Sequence, residues 1–358
     1  MQCPYKLQSR TRHCSRGQSM QQLLQSFPMD DTLQKRVERL KSKQISISCI
    51  VPVFNEEALI DSFLTALYSK LENLSQHFEI IIIDDGSTDQ TNKLVMQLAK
   101  DHQQIKLIRF SRNFGKEHAI AAGLKACAGE VSIIIDADFQ HPIELIPTFL
   151  EKWSQGHDMV YGLRENRQSD SAIRRFFSAT FYKALRVMTK IKIPANAGDF
   201  RLIDRSAIDS LNNCEERTRF MKGLYAWIGY QSIAVPFHVP DRPAGKSSHH
   251  YRRLTELAVT GFISFSDVPL RVWGFIGLII SLVSFCTAAY IIIDTLIHGA
   301  SVPGYATIIV TIIFFGGIQL LSIGIMGEYI ARIFHEVKRR PSYIIEKTFG
   351  MDSEKENK

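Results

Sequence analysis

Short, dense apolar runs alternate with amphipathic stretches through the first 160 residues, and each dense run ends in a cluster of polar side chains. Residues 45–51 alternate and then turn wholly apolar, as a strand buried on both faces does. Pro52-Val53-Phe54-Asn55-Glu56-Glu57 follows, with Asn55 placed to cap a helix over residues 56–74. Residues 78–83 predict a second strand, closed by Asp84-Asp85-Gly86-Ser87-Thr88-Asp89 ahead of a helix ending near Lys100. Residues 105–110 predict a third, followed by Ser111-Arg112-Asn113-Phe114-Gly115-Lys116 and a helix reaching Cys127. A fourth ends in Asp136-Ala137-Asp138-Phe139-Gln140-His141-Pro142, where Pro142 opens a helix to Gly156. Four alternations of strand and helix predict an α/β fold with a parallel, doubly wound sheet. Ligands of such sheets lie off the carboxyl ends of the strands, which is where the polar clusters fall.

Further on the pattern loosens. Residues 158–162 predict a short strand and 230–239 a late one, with the polar set Gly198-Asp199-Phe200-Arg201 and Asp204-Arg205 on an apolar frame between them. Arg164, Arg167, Arg174 and Arg175 precede an amphipathic stretch at Phe176–Tyr182, which suits either a membrane-interface helix or an ordinary helix packed on the sheet. Asp241-Arg242-Pro243-Ala244-Gly245-Lys246 begins a basic loop ending at His249-His250. Apolar runs at 268–297 and 305–334 each meet the roughly 20 residues that a spanning helix needs. The loop between them has no lysine or arginine, whereas Arg252, Arg253 and Arg271 precede them and Arg332, Lys338, Arg339 and Arg340 follow. Positive-inside bias therefore predicts a multi-pass inner-membrane protein with its soluble domain and both termini in the cytoplasm. Gly316-Gly317 and Gly324 permit close helix contact and thus a homo-oligomer.

The expected organisation is a basic, disordered extension at 1–44 (with a short helix from about residue 30 to 43), a cytoplasmic α/β domain at 45–250 with an interfacial segment at 164–190, a juxtamembrane segment at 251–267, a two-helix hairpin at 268–334 and a cytoplasmic tail at 335–358. No apolar h-region occurs in residues 1–44, so no secretory signal is expected. A net charge of +7 suits anionic lipid or phosphorylated substrates, and no basic stripe interleaved with aromatics points to nucleic acid. Six cysteines lack CxxC spacing and fit a reducing compartment.

Asp136, Asp138 and Gln140 project the same way if the backbone stays extended. Two carboxylates and an amide carbonyl suit a hard divalent ion, Mg2+ or Mn2+, that keeps waters and takes phosphate oxygens. The competing reading is a turn whose aspartates cap the next helix. His141 and the His249-His250 pair lack zinc-ligand company and read as structural or solvent-facing.

Val51-Pro52-Val53-Phe54-Asn55-Glu56, Asp84-Asp85-Gly86-Ser87-Thr88-Asp89, Asn113-Phe114-Gly115-Lys116, Asp136-Ala137-Asp138-Phe139-Gln140-His141-Pro142 and Gly198-Asp199-Phe200-Arg201 occur in one order. Together they resemble family 2 glycosyltransferases of the dolichol-phosphate mannosyltransferase type. The stretch from Gly327-Glu328-Tyr329 to Arg340-Pro341-Ser342-Tyr343 resembles the bacterial, bactoprenol glucosyltransferase branch. The resemblance implies a GT-A, Rossmann-like nucleotide-sugar domain and covers residues 45–345. By it, Pro52, Phe54, Glu56, Ile83 and Asp85 match nucleoside-binding positions. Asp136, Ala137 and Asp138 match positions that reach the nucleotide sugar and metal, and Gln140 a metal ligand. Arg164 matches an acceptor-side arginine and Arg242 a diphosphate-binding one. The family's lysine three residues after the loop glycine is Ser248 here, with Lys246 as the substitute.

The implied reaction is inverting transfer of one sugar, by default from UDP-glucose, to undecaprenyl phosphate. A polyprenyl phosphate, with a second pKa of about 6, brings its own anionic nucleophile. Asp199 is then the remaining catalytic candidate, and Arg174, Ser178 and Arg201 are candidates for the lipid phosphate. Alternatives are transfer from GDP-mannose and a non-catalytic nucleotide-binding scaffold. A processive polysaccharide synthase would need a Gln-x-x-Arg-Trp motif and more spans. A channel or flippase subunit would leave the strand-end acids without a role.

Overall fold

A computed structural model describes residues 31–164, 197–214, 216–217, 219–238 and 304–351, with isolated positions between 275 and 297. The strands are β1 (Ser46–Val53), β2 (His77–Asp84), β3 (Ile105–Phe110), β4 (Val131–Ile134), β5 (Met159–Arg164), β6 (Ala197–Asp204), β7 (Ser232–Phe237) and β8 (Ile345–Phe349). They form one sheet in the order β7-β5-β6-β4-β1-β2-β3-β8. The helices are α1 (Asp31–Lys41), α2 (Ile60–Leu74), α3 (Thr91–Asp101), α4 (Lys116–Ala126), α5 (Ile146–Ser154), α6 (Arg205–Asn212), α7 (Met221–Trp227) and α8 (Tyr305–Val337).

The expected parallel unit is present: β1 pairs with β2 and β4, and β2 with β3, all parallel. Its core follows from the isoleucine runs. Ile80 and Ile82 face α2 and α5, packing with Phe63, Leu67, Phe149 and Trp153, while Ile81 and Ile83 face α4 and α7 with Ile120 and Leu224. The sheet is covered on both sides, so its strands need no polar face. A Cβ at Gly123 would lie 2.3 Å from Ile50 Cγ2, so α4 sits on β1 at a distance only glycine permits.

Beyond β4 the all-parallel expectation is corrected. Strand β6 runs antiparallel between β4 and β5, making the sheet mixed. Its alternation is two-sided: Phe200 and Leu202 enter one core while Asp199 and Arg201 take the opposite face, so no dense apolar run announces a strand. The helix expected from residue 56 starts at Ile60 instead, and Asn55 does not cap it. Asn55 has φ +55°, and its Oδ1 accepts from Thr88 N at 2.9 Å, tying the turn after β1 to the turn after β2. Glu56 N donates to Thr91 Oγ1 at 2.9 Å in the same stitch.

Two flanking segments join the sheet domain. Helix α1 docks through Arg36, which reaches Asp158 at 3.1 Å and Asp204 at 3.0 Å and lies over the Trp153 ring. At the other end, the expected tail supplies β8, antiparallel to β3. Tyr343 stacks on Phe110, and Ser111 N donates to Ile344 O at 3.0 Å. Among the described residues one helix, α8, is long and apolar enough to cross a membrane, over Phe314–Ala331. Leu320, Ile323, Met326, Ile330 and Phe334 stand exposed around it, and Glu336 Oε1 accepts from Arg217 N at 2.9 Å. The interfacial segment beyond Arg164, the basic loop and all but isolated positions of the expected first run lie outside the described residues.

Candidate active site

Strands β1, β2 and β4 end side by side, and their exits carry the polar clusters. After β2, Asp85 is 4% exposed. Its Oδ1 accepts from Phe114 N at 2.7 Å and its Oδ2 from Gly115 N at 2.9 Å. Desolvation raises the Asp85 carboxyl, and those two N–H groups work against that rise. Asp85 thereby holds the loop that enters α4. Gly86 has φ +74°, and a Cβ there would meet Arg112 C at 2.4 Å, so the two loops touch through bare backbone.

After β4 the backbone does not stay extended, which corrects the expected side-by-side projection of Asp136, Asp138 and Gln140. The strand ends at Ile134, and Phe139 adopts φ +56°. Gln140 N donates to Asp138 Oδ1 at 3.0 Å, a turn closed by the aspartate's own side chain. The turn leaves Asp136 and Asp138 half-buried at the crevice, with Ala137 and Gln140 buried.

Asp136 faces α4, where Lys116 Nζ lies 2.7 Å from both its oxygens and 3.0 Å from Asp199 Oδ2. Desolvation opposes the Lys116 charge, but the two carboxylates hold its ammonium well above the usual lysine range. Asp199 is 16% exposed on its side chain. Desolvation pushes its carboxyl up, yet Lys116, Lys222 and Arg201 together pull it far below the usual range. Arg201, 4% exposed, lies under this pair with its guanidinium 3.6 Å from the Tyr225 ring centroid and donates to Gly198 O at 2.8 Å. Glu117 accepts from Met221 N at 2.8 Å, fixing the start of α7, and desolvation followed by Asp199's charge pushes its carboxyl up to about 7.

His141 is 2% exposed and stacks on Phe200, so its structural reading holds and its solvent-facing one does not. Its Nδ1 accepts from Asp136 N at 3.2 Å, and Arg164 Nη2 lies 3.3 Å from its Nε2. Desolvation lowers its pKa, favouring the neutral ring. Arg164 thus lies beside His141 at the edge of the acid corner.

The fold gathers Asp136, Ala137, Asp138, Gln140, Asp199, Arg201 and Arg164 around the end of β4. On the neighbouring exits, Phe54 is 43% exposed and Pro52 pairs in register with Ile83, whose side chain is fully buried. Arg174, Ser178, Arg242 and Lys246 lie outside the described residues. Sequence reasoning quoted Lys116 within a motif but gave it no role, and it passed over Glu117 and Tyr225. One signal was available for Lys116: a lysine in the first turn of a helix meets the positive end of its dipole and needs a compensating anion.

The half-buried carboxylates of Asp136 and Asp138 offer oxygen donors to the crevice, which fits a hard divalent ion keeping waters. Among the described residues no three His, Cys, Asp or Glu side chains converge as a closed metal cage. An open, substrate-completed site matches that chemistry better than a structural one.

A family model described as Glycosyl transferase family 2 matches residues 48–211. The SfII prophage-derived bactoprenol glucosyl transferase of Shigella flexneri is 43% identical over 304 residues, 85% of this chain and 98% of that one. The chain belongs to glycosyl transferase family 2. A second relative in the family, an uncharacterized glycosyltransferase of Synechocystis, is 43% identical over 86% of this chain and 97% of its own. Among solved structures, a glucosyl-3-phosphoglycerate synthase from Mycobacterium tuberculosis aligns with a TM-score of 0.43 and 17% identity, covering 62% of this chain and 80% of that one. As a family 2 glycosyltransferase, the chain is an enzyme that moves a sugar, and the cluster at the end of β4 is its candidate active site.

Proposed function

We propose that the enzyme moves one glucose from UDP-glucose to undecaprenyl phosphate at the cytoplasmic face of the membrane, with inversion at the anomeric carbon. The observation that carries the reading is the convergence of Asp136, Asp199 and Lys116 on one point, in a chain alike along 85% of its length to a bactoprenol glucosyl transferase.

The acceptor phosphate, with a second pKa of about 6, is mostly dianionic at neutral pH and attacks without surrendering a proton. No side chain at the corner has to act as a base. Asp199, kept ionised by Lys116, orients the sugar through its hydroxyls, and His141 stays neutral and fixes the backbone at Asp136. Phe54, with Pro52, Glu56 and the backbone at Ile83, holds the nucleoside, and Asp85 keeps the adjoining loop in place. Arg242 and Lys246 neutralise the departing diphosphate, a charge-assisted interaction that strengthens as the bond breaks. Arg164, Arg174 and Ser178 receive the lipid phosphate; Arg201, expected among them, is buried against Tyr225 and instead sets the field beneath Asp199. Asp136, Asp138 and Gln140 would hold Mg2+ or Mn2+, which supplies Lewis-acid stabilisation of the leaving group.

The sheet itself supports the membrane plan. The chain leaves the sheet after β7 and re-enters it at β8, so both points lie on one side of any bilayer. A crossing by α8 therefore requires a second crossing between residues 238 and 304, where the 268–297 run lies. Lys338, Arg339 and Arg340 put that shared side in the cytoplasm. Gly316-Gly317 and Gly324 give α8 a face for self-association with a second copy.

The test incubates membranes carrying the protein with labelled UDP-glucose, divalent ion and undecaprenyl phosphate. Label should enter the organic phase with the wild type and not with Asp138→Ala. Transfer that needs no lipid phosphate, or that survives the substitution, rejects the reading.

A further inference from the structure

Lys116 occupies a position that its helix does not favour. It is the first residue of α4, where the unpaired N–H groups already concentrate positive charge. A solvated lysine there would turn outward, yet this one runs inward to three carboxylate oxygens, two from Asp136 and one from Asp199. Those oxygens come from the exit of β4 and from β6, which pair antiparallel, so the sheet sets the acids side by side before any cation arrives. Two carboxylates sharing one point repel each other unless a cation lies between them. The loop preceding Lys116 is itself fixed, because Asp85 grips Phe114 N and Gly115 N. The ammonium is thus delivered by a rigid entry and a flexible stem, with its side chain 42% exposed to the crevice.

We propose that Lys116 is an exchangeable counter-ion: its ammonium neutralises Asp136 and Asp199 in the donor-free enzyme and gives up Asp136 when a divalent ion binds there. The inference rests on the metal reading given above and adds to it a positioning residue. The exposed side chain gives the ammonium room to withdraw, which a sealed ion pair would not. Lys116 lies 2.7 Å from Asp136, so Asp136 is the ligand for which the ion and the ammonium compete. Lys116 keeps the corner assembled while empty and sets a threshold for metal binding.

The experiment measures Mn2+ binding to full-length, detergent-solubilised protein without nucleotide, from the EPR signal of free Mn2+. Removing a competing cation in Lys116→Met should tighten Mn2+ binding by about 5- to 150-fold, the usual range of coupling between two bound groups. Lys116→Arg keeps the charge and should bind Mn2+ as weakly as the wild type. Thermal unfolding supplies a second readout: Lys116→Met should melt lower than wild type without metal and recover a larger share of the loss on adding Mn2+ than wild type gains. Lys116→Gln repeats both measurements if the methionine variant does not fold. Equal or weaker Mn2+ binding in the methionine and glutamine variants, with no metal-dependent recovery, overturns the proposal and leaves Lys116 a structural ion pair. Asp136→Asn separates the two readings: if it binds Mn2+ as well as the wild type, the metal assignment at Asp136 has failed.

Discussion

Tyr343 lies flat on Phe110, with ring centroids 4.8 Å apart and planes 15° from parallel. The contact joins the segment after α8 to the last residue of β3. Arg109 continues the seam, 3.2 Å from Glu346 and 3.7 Å from Asp84. Tyr343→Ala should destabilise the sheet domain by about 2–3 kcal/mol, as loss of a packed aromatic does. A lower midpoint in thermal unfolding of the full-length protein checks it; an unchanged midpoint means the tail contributes nothing to the fold.

Asp85 carries an acceptor role at both oxygens. Asp85→Asn turns one of them into a donor facing an N–H, costing about 1–3 kcal/mol. The loop entering α4 then loosens, and Lys116 loses its aim. Transfer should fall by roughly 10- to 100-fold on the scale of misplaced catalytic groups, read as an initial rate at saturating substrate.

The pH dependence of stability carries opposite signs at two neighbouring acids. Glu117 is raised from 4.5 to about 7, so between those values the folded chain holds a proton that the unfolded chain releases, and stability falls as pH rises. Asp199 is depressed, so its contribution is present above the ordinary carboxylate value of 3.8 and is lost as pH falls below it. Glu117→Gln, which keeps an acceptor for Met221 N, should gain stability over wild type at pH 8 relative to pH 5 by about 1–3 kcal/mol. Unfolding of both proteins at the two pH values reads it, and parallel curves would contradict it.

Arg36→Ala tests whether α1 belongs to the catalytic domain. It removes the cation shared by Asp158 and Asp204, whose side chains are 23% and 12% exposed. Asp204 keeps Trp153 Nε1 at 2.8 Å and Ser206 N at 3.0 Å, so the loss should stay near 1–3 kcal/mol. Faster proteolysis within residues 31–41, with transfer intact, is the expected signature.

Much of the fold was legible because its information is local. Isoleucine runs at β2 and β4 and amphipathic spacing in the following helices are visible without any partner, since burial on two faces demands an unbroken apolar string. Strand β6 was not legible, because its Asp199 and Arg201 face a site instead of a core. Strand β8 was hidden for a related reason: its pattern is mixed, and only the open edge of β3 makes it a strand.

The sequence by itself determined the βα order, the acids at the strand exits and a second apolar run long enough to span a bilayer. These depend on period, charge and composition, which survive without coordinates. Tertiary structure alone decided that the Asp136 turn bends at Phe139, that β6 brings Asp199 beside it, and that Lys116 from a third element lies between them. Directions of side chains across paired strands follow from register and turn dihedrals, and neither leaves a trace in the spacing of residues along the chain.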